Sequence, residues 1–174
     1  GTDINPLARL ISKVKTTIIP IELLDSYLRD FNDSMFPIRL DSEKTKPIIP
    51  DFKNIDYWFK KETQCWLAMI KEYIEKIDDK DIQDFFKVVF SETVREVSLT
   101  RKSEFKLYRM SKKQIEKTNP DVISVMLEKL IRNRNGMAEY ISLKNNNSDS
   151  KVYDFNTVYK IPEDIVPPES ICIV

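Results

Sequence analysis

The octapeptide GTDINPLA, residues 1–8, has the pattern of a strand tip that turns directly into a helix. Asn5 is a favoured helix N-cap, and Pro6 suits the first helical position, where a backbone N–H has no partner within the helix. Asp3 would then lie at the strand tip. Nucleotide-binding α/β folds often place a carboxylate there, where it accepts hydrogen bonds from ribose hydroxyls. The octapeptide therefore predicts a nucleotide-facing turn followed by an amphipathic helix.

The glycine content limits how much of a nucleotide site this chain can hold. Glycine occurs only as Gly1 and Gly136, whereas a complete Rossmann-like site uses several glycines for close approach to phosphates or cofactor. The glycine-rich turn expected before the octapeptide is missing, and residues 170–174 form an apolar run that resembles a buried strand. We therefore expect a piece of a larger enzyme, with an incomplete nucleotide site.

Composition is typical of a folded domain with no strong charge bias. The chain has 174 residues, of which 41% are hydrophobic and 32% charged. Basic and acidic residues number 28 each, so any nucleic-acid footprint must be local. No apolar run approaches the roughly 20 residues that cross a bilayer, and no signal-peptide pattern is present, so we expect no membrane partner.

The residue types available exclude two kinds of chemistry. The sequence has no histidine, and its two cysteines, Cys65 and Cys172, are far apart. A zinc site of the Cys/His type is therefore not expected, and neither is a reaction that uses imidazole as its base. We predict no bound metal, and the isolated cysteines favour a reducing, cytoplasmic location.

Hydrophobic periodicity predicts a mainly α fold. Apolar residues recur at spacings of three and four, which is typical of helices that bury one face. Short helices of this kind with acidic joins favour a helical bundle, and the aromatic residues in the stripes are expected to form its core. The predicted stripes cover residues 7–14, 21–31, 55–77, 82–97 and 123–141.

The remaining segments suggest how the chain is organised. Residues 35–53 contain three prolines and predict a loop or extended connector. Residues 145–150 predict a polar turn, and short strand-like segments flank the helices at both ends of the chain. We predict a remnant of a cofactor-binding domain at 1–19, a helical insert at 20–144, and a return at 145–174 to an incomplete Rossmann-like sheet.

The octapeptide resembles the second motif of S-adenosylmethionine-dependent DNA amino-methyltransferases of the restriction-modification type, which modify an exocyclic amino group of adenine or cytosine. The resemblance implies S-adenosylmethionine as cofactor, with Asp3 bonding its ribose and Ile4 packing on its adenine ring. Val152-Tyr153-Asp154, followed by Ile161-Pro162, resembles the third motif of that family. By that resemblance, Asp154 contacts the cofactor's adenine. The alternative is that Asp3 and Asp154 are simply carboxylates exposed at turns.

The resemblance also identifies a catalytic motif of the family that the sequence lacks. Residues 171–174 resemble the strand that leads into the catalytic Pro-Pro-Tyr loop of the family, and the loop itself is not in the sequence. The helical insert lies between the two motifs, as in methyltransferases that place a recognition region between their cofactor and catalytic halves. We therefore expect no catalytic residue in this chain, and no activity from it alone.

A basic segment in the insert is the candidate DNA surface. Between Arg101 and Lys113 six positive charges stand against Glu104 alone, a local net charge of plus five. Arginine, lysine and serine suit phosphate contacts, and the interleaved aromatics suit stacking on bases. The alternative is a solvated basic turn that joins two helices. The predicted DNA-binding residues are Arg95, Ser98, Arg101, Lys102, Lys106 and Arg109.

Two functions from different classes follow. The first is a fragment of a DNA methyltransferase that transfers a methyl group from S-adenosylmethionine to an exocyclic amino group of adenine or cytosine. In this hypothesis the chain contributes part of the cofactor site and a helical lobe that contacts DNA. The second is a non-enzymatic helical module that binds DNA or a protein through residues 95–113.

Overall fold

Helices dominate the structure, a computed structural model that describes residues 1–40, 46–102, 106–144, 150–156 and 158. Within these residues two isolated β-bridges occur and no sheet forms. The mainly helical prediction is therefore confirmed. The chain divides into two compact units, the first built from Gly1–Thr17 and the segment after Asn145, the second from Ile18–Lys144.

The first unit begins with the predicted turn. Helix α1 covers Pro6–Thr16, with Pro6 in its first turn, and the Asn5 side chain accepts hydrogen bonds from the next backbone N–H groups. The predicted cap and helix start are both confirmed. Before the helix, Thr2 forms a parallel bridge with Tyr153, where a strand was expected at each end. The predicted strand at 170–174 lies outside the described residues, as do Ile161 and Pro162.

The second unit is a bundle in which four long helices pack around one core. Its largest fully buried side chains are apolar, as the stripes predicted, and include Phe31 and Phe86, whose rings meet edge to face at 5.9 Å. Two short helices join the long ones. The helices of this unit are α2 (Ile21–Leu40), α3 (Ile55–Trp58), α4 (Lys61–Glu75), α5 (Lys80–Val97), α6 (Lys112–Lys117) and α7 (Val122–Leu143).

Helix α2 corrects the predicted connector, because it continues through Pro37 to Leu40. Proline removes one backbone hydrogen bond from the helix interior, which usually ends a helix. Here Met35 is buried in the core and anchors the last turns, while Asp33, whose carbonyl loses that bond, is exposed to water. Burial of one apolar side chain therefore outweighs the local proline signal.

The stripe over 55–77 predicted one helix, and the structure contains two. Phe59 and Lys60 are extended and separate α3 from α4. The Trp58 carbonyl accepts a hydrogen bond from Leu99 N at 2.8 Å, and the buried Gln64 amide donates to the Phe59 carbonyl at 3.1 Å. These long-range and side-chain partners replace the helical bonds at the break, and hydrophobic spacing alone does not reveal them.

Candidate functional site

Asp3 lies at the turn predicted for it, half-buried and bonded to its own loop. Its Oδ1 accepts a hydrogen bond from the Asn5 backbone N–H at 2.7 Å, which is an Asx turn leading into α1. The side chain of Ile4 beside it is 65% exposed. One carboxylate oxygen of Asp3 thus shapes the turn, and an apolar side chain next to it faces solvent.

Arg9 joins the two predicted cofactor acids. Its Nη1 donates to the Asp3 carbonyl at 2.9 Å and to Asp154 Oδ1 at 2.6 Å. Behind this contact, Tyr153 N donates to the Gly1 carbonyl and Asp3 N donates to the Tyr153 carbonyl, so the two segments run in parallel. The arrangement brings Asp3 and Asp154 to the same edge of the paired segments.

Sequence reasoning missed Arg9, and no local signal could have found it. It stands six residues after Asp3 but 145 residues before Asp154, so only the folded chain connects them. Its side chain is 23% exposed, whereas that of Asp154 is 69% exposed. Most of the Asp154 carboxylate therefore faces solvent, with one oxygen oriented by a guanidinium.

Three of the six predicted DNA-binding residues line one pocket at the C-terminal end of α5. Arg95, Arg101 and Lys102 line one open pocket together with Glu96 and Thr100. Lys102 pairs with Glu96, while Arg95, Arg101 and Lys106 are exposed and form no ion pair with any carboxylate among the described residues. A helix C-terminus is the end at which cations are favoured, because the helix dipole is negative there.

Ser98 does not share this exposure. It is 6% exposed, and its hydroxyl donates to the Arg95 carbonyl at 2.7 Å and lies 2.7 Å from the Thr100 hydroxyl. The serine thus caps the end of α5. In this conformation its hydroxyl is engaged within the protein.

Arg109 lies apart from the others, against an aromatic ring. Its guanidinium carbon stands 4.2 Å from the centroid of the Tyr57 ring, a cation–π contact. Arg109 pairs with Thr100 in an antiparallel bridge, where Arg101 N donates to the Tyr108 carbonyl and Met110 N to the Leu99 carbonyl, both at 2.8 Å. Residues 99–101 therefore pair with residues 108–110 in antiparallel orientation.

Exposed apolar side chains accompany the cations, as the sequence suggested. Leu107 is 67% exposed and Tyr108 is 49% exposed, next to the exposed Lys106. Phe105 and Glu104 lie outside the described residues. At the end of the segment, α6 begins at Lys112 with a capping box between Ser111 and Gln114. The last two residues of the basic run thus begin a short helix that periodicity did not predict.

Glu92, near the basic C-terminal end of α5, forms ion pairs with α7. Lys129 and Arg132 of α7 both donate to its carboxylate, at 3.1 and 3.0 Å to the same oxygen. The hydrogen bonds from Arg132, more than those from Lys129, hold the pKa of Glu92 below its ordinary value against the opposing effect of desolvation. This ion-pair cluster links α5 to α7, and no local pattern in the sequence predicts which of these charges meet.

The described residues contain no group of three or more histidine, cysteine, aspartate or glutamate side chains arranged to hold a metal ion. Among the helices described, none combines the length and the apolar character needed to cross a membrane.

Comparison with known proteins identifies a relative. The chain is 39% identical over 170 residues to the Type II methyltransferase M.MvaI of Kocuria varians. The matched region covers 94% of this chain and 37% of that relative, so the chain spans little more than a third of its length. No family model and no solved structure matches the chain.

Proposed function

We propose, from the chain's similarity to a Type II methyltransferase, that it is the helical DNA-contacting segment and part of the cofactor site of a DNA methyltransferase. The full enzyme would transfer a methyl group from S-adenosylmethionine to an exocyclic amino group of adenine or cytosine. The observation that carries the proposal is the 39% identity over 94% of the chain. The proposal includes a cytoplasmic location, where DNA and cofactor meet.

The cofactor part of the proposal concerns Asp3, Ile4 and Asp154. Carboxylates at the ends of adjacent parallel segments can accept hydrogen bonds from ribose hydroxyls or from an exocyclic amine. The exposed side chain of Ile4 can cover the face of a planar base. Asp3 and Asp154 already share Arg9, so a cofactor would meet two acids held in a fixed relationship.

The DNA part of the proposal concerns Arg95, Arg101 and Lys106. Arg95, Arg101 and Lys106 are the exposed members of the predicted set that pair with no carboxylate in the described residues. Lys102, by contrast, pairs with Glu96. A cation that pairs with no protein carboxylate breaks no ion pair when it contacts a phosphate, so the contact costs it the least free energy. Such an enzyme must extrude its target base from the duplex, and phosphate contacts would hold the distorted backbone.

Salt dependence tests the DNA part. Each phosphate contact steepens the log–log dependence of affinity on salt by roughly 0.9. We expect Arg95→Gln and Arg101→Gln each to weaken binding to a random-sequence duplex and to reduce the slope by about that amount. Arg29→Gln, which removes an exposed cation from α2, is the matched control. Equal slopes for all four proteins would overturn the proposed surface.

Methyl transfer tests the cofactor part in the full-length enzyme. Asp3→Asn keeps an acceptor for the Asn5 N–H but removes the charge, whereas Asp3→Ala removes both. We expect both variants to transfer less labelled methyl to DNA at limiting S-adenosylmethionine, with activity partly restored at high cofactor concentration. Methyl transfer unaffected by either change would favour the alternative for Asp3, a turn carboxylate with no cofactor role.

A further inference from the structure

Arg109 is the member of the basic segment that the protein holds most rigidly. Its guanidinium stacks 4.2 Å from the Tyr57 ring centroid, and its backbone is fixed by the bridge to Thr100. The ring itself is fixed, because the Trp58 carbonyl accepts from Leu99 N at 2.8 Å and Tyr57 meets Trp58 edge to face at 4.8 Å. Arg109 and Tyr57 are thus both anchored to the antiparallel pair formed by residues 99–101 and 108–110.

This arrangement leaves a buried donor without a partner. Arg109 Nε is buried and makes no hydrogen bond within the described residues, and an unpaired buried donor of this kind destabilises the protein. The two Nη nitrogens are not buried in this way, and no described carboxylate pairs with them. The two Nη donors of the planar guanidinium therefore remain without a carboxylate partner in the described residues, beside the Tyr57 ring.

A contact with a phosphate does not need a guanidinium that is held in one orientation by an aromatic ring. A flexible, exposed cation such as Lys106 suffices for a phosphate, which accepts from many directions. Guanine presents O6 and N7 side by side in the major groove, and a planar guanidinium can donate to both at once. Stacking reduces the side-chain freedom that is lost on binding, so it favours a contact in which orientation matters.

We propose that Arg109, oriented by Tyr57, is a specificity-determining residue that reads one guanine in the major groove of the target DNA. The inference rests on the proposed DNA-binding function and adds a base-reading role to one residue of that surface. Arg95, Arg101 and Lys106 contact phosphates in the same complex. Replacing Arg109 by lysine keeps the charge but removes the planar guanidinium, so sequence preference and electrostatic affinity can be separated.

Selection from a random duplex library tests the inference. We expect the wild-type protein to enrich a motif that contains guanine, and Arg109→Lys to lose discrimination at one guanine by about 5- to 100-fold. The salt slope and the other positions should be unchanged. Tyr57→Phe keeps a stacking ring and should keep the preference, whereas Tyr57→Ala should weaken it. Arg29→Lys, which changes an exposed cation of α2 outside the proposed surface, is the matched control and should select the wild-type motif.

Modified DNA tests the same contact without changing the protein. 7-Deazaguanine, which lacks N7, is placed in turn at each guanine of the selected motif. One position should weaken binding of the wild-type protein and have no effect on Arg109→Lys. A motif without guanine, an unchanged motif for Arg109→Lys, or no effect of 7-deazaguanine at any position would overturn the inference while leaving DNA binding intact. No duplex binding by the wild-type protein would overturn the proposed function along with it.

Discussion

Arg134 of α7 holds the carboxylate of Asp25 of α2 through two parallel hydrogen bonds, 2.8 Å from Nε to Oδ1 and 2.7 Å from Nη2 to Oδ2. The two residues are 109 positions apart and join the first and the last helices of the bundle. Their side chains are 28% and 32% exposed, so water screens the pair only in part. This contact gives the bundle a pH-dependent element.

The stability supplied by Asp25 should disappear in acid. The hydrogen bond from Arg134 holds the pKa of Asp25 in the folded protein below its ordinary value of 3.8. The ionised carboxylate therefore stabilises the fold above pH 3.8, and this stabilisation is lost as the pH falls through the lower, folded-state pKa. We expect Asp25→Asn to unfold at lower urea than wild type at pH 7, and the difference to narrow below 3.8. Asp33→Asn, an exposed site on the same helix, is the control. A difference that is as large at pH 3 as at pH 7 would contradict this assignment.

Two adjacent residues of α7 should differ sharply when truncated. Leu130 is fully buried and Ile131 is 54% exposed, although both are large and apolar. We expect Leu130→Ala to lower the free energy of unfolding by about 2–5 kcal/mol, because it removes buried surface and leaves a cavity. Ile131→Ala should change it by less than about 0.5 kcal/mol. Urea denaturation followed by circular dichroism measures both, and similar losses would mean that the helix face is misassigned.

The start of α5 should depend on a single carboxylate. Asp79 Oδ1 accepts hydrogen bonds from the Asp81 and Ile82 backbone N–H groups, both at 3.0 Å. Removing this cap by Asp79→Ala should destabilise the bundle by about 1 kcal/mol, while Asp79→Asn should retain most of the stability. The neighbouring exposed Asp78→Ala serves as control. If Asp78→Ala proves as costly as Asp79→Ala in thermal unfolding, the cap is not the cause.

Arg9 should protect the pairing in the first unit. The Asp3 and Tyr153 amides are both hydrogen-bonded across the two segments that Arg9 joins. We expect Arg9→Gln and Asp154→Asn each to speed hydrogen exchange at these amides, measured by mass spectrometry. Lys15→Gln on the exposed side of α1 should leave exchange unchanged. Unaltered protection in both variants would show that backbone pairing alone holds the segments together.

Local sequence signals predicted most of the helices. Asn5 and Pro6 define the start of α1, and the stripe over 82–97 lies within the observed α5, because caps and apolar spacing act over only a few residues. The same reasoning failed at Pro37, where burial of Met35 in the core of the bundle sustains the helix. It also failed at Phe59, where Leu99 takes up the Trp58 carbonyl. Both errors have one cause: a contact between distant parts of the chain outweighed a local preference.

The sequence by itself determined the mainly helical fold, the turn that presents Asp3, and the concentration of positive charge between residues 101 and 113. Only the tertiary structure decided which side chains act together. It joined Arg9 to Asp154, buried Ser98, paired Lys102 with Glu96 and stacked Arg109 on Tyr57. The physical reason is range: propensity and capping depend on neighbours a few residues away, whereas ion pairs, stacking and burial depend on which surfaces folding brings into contact.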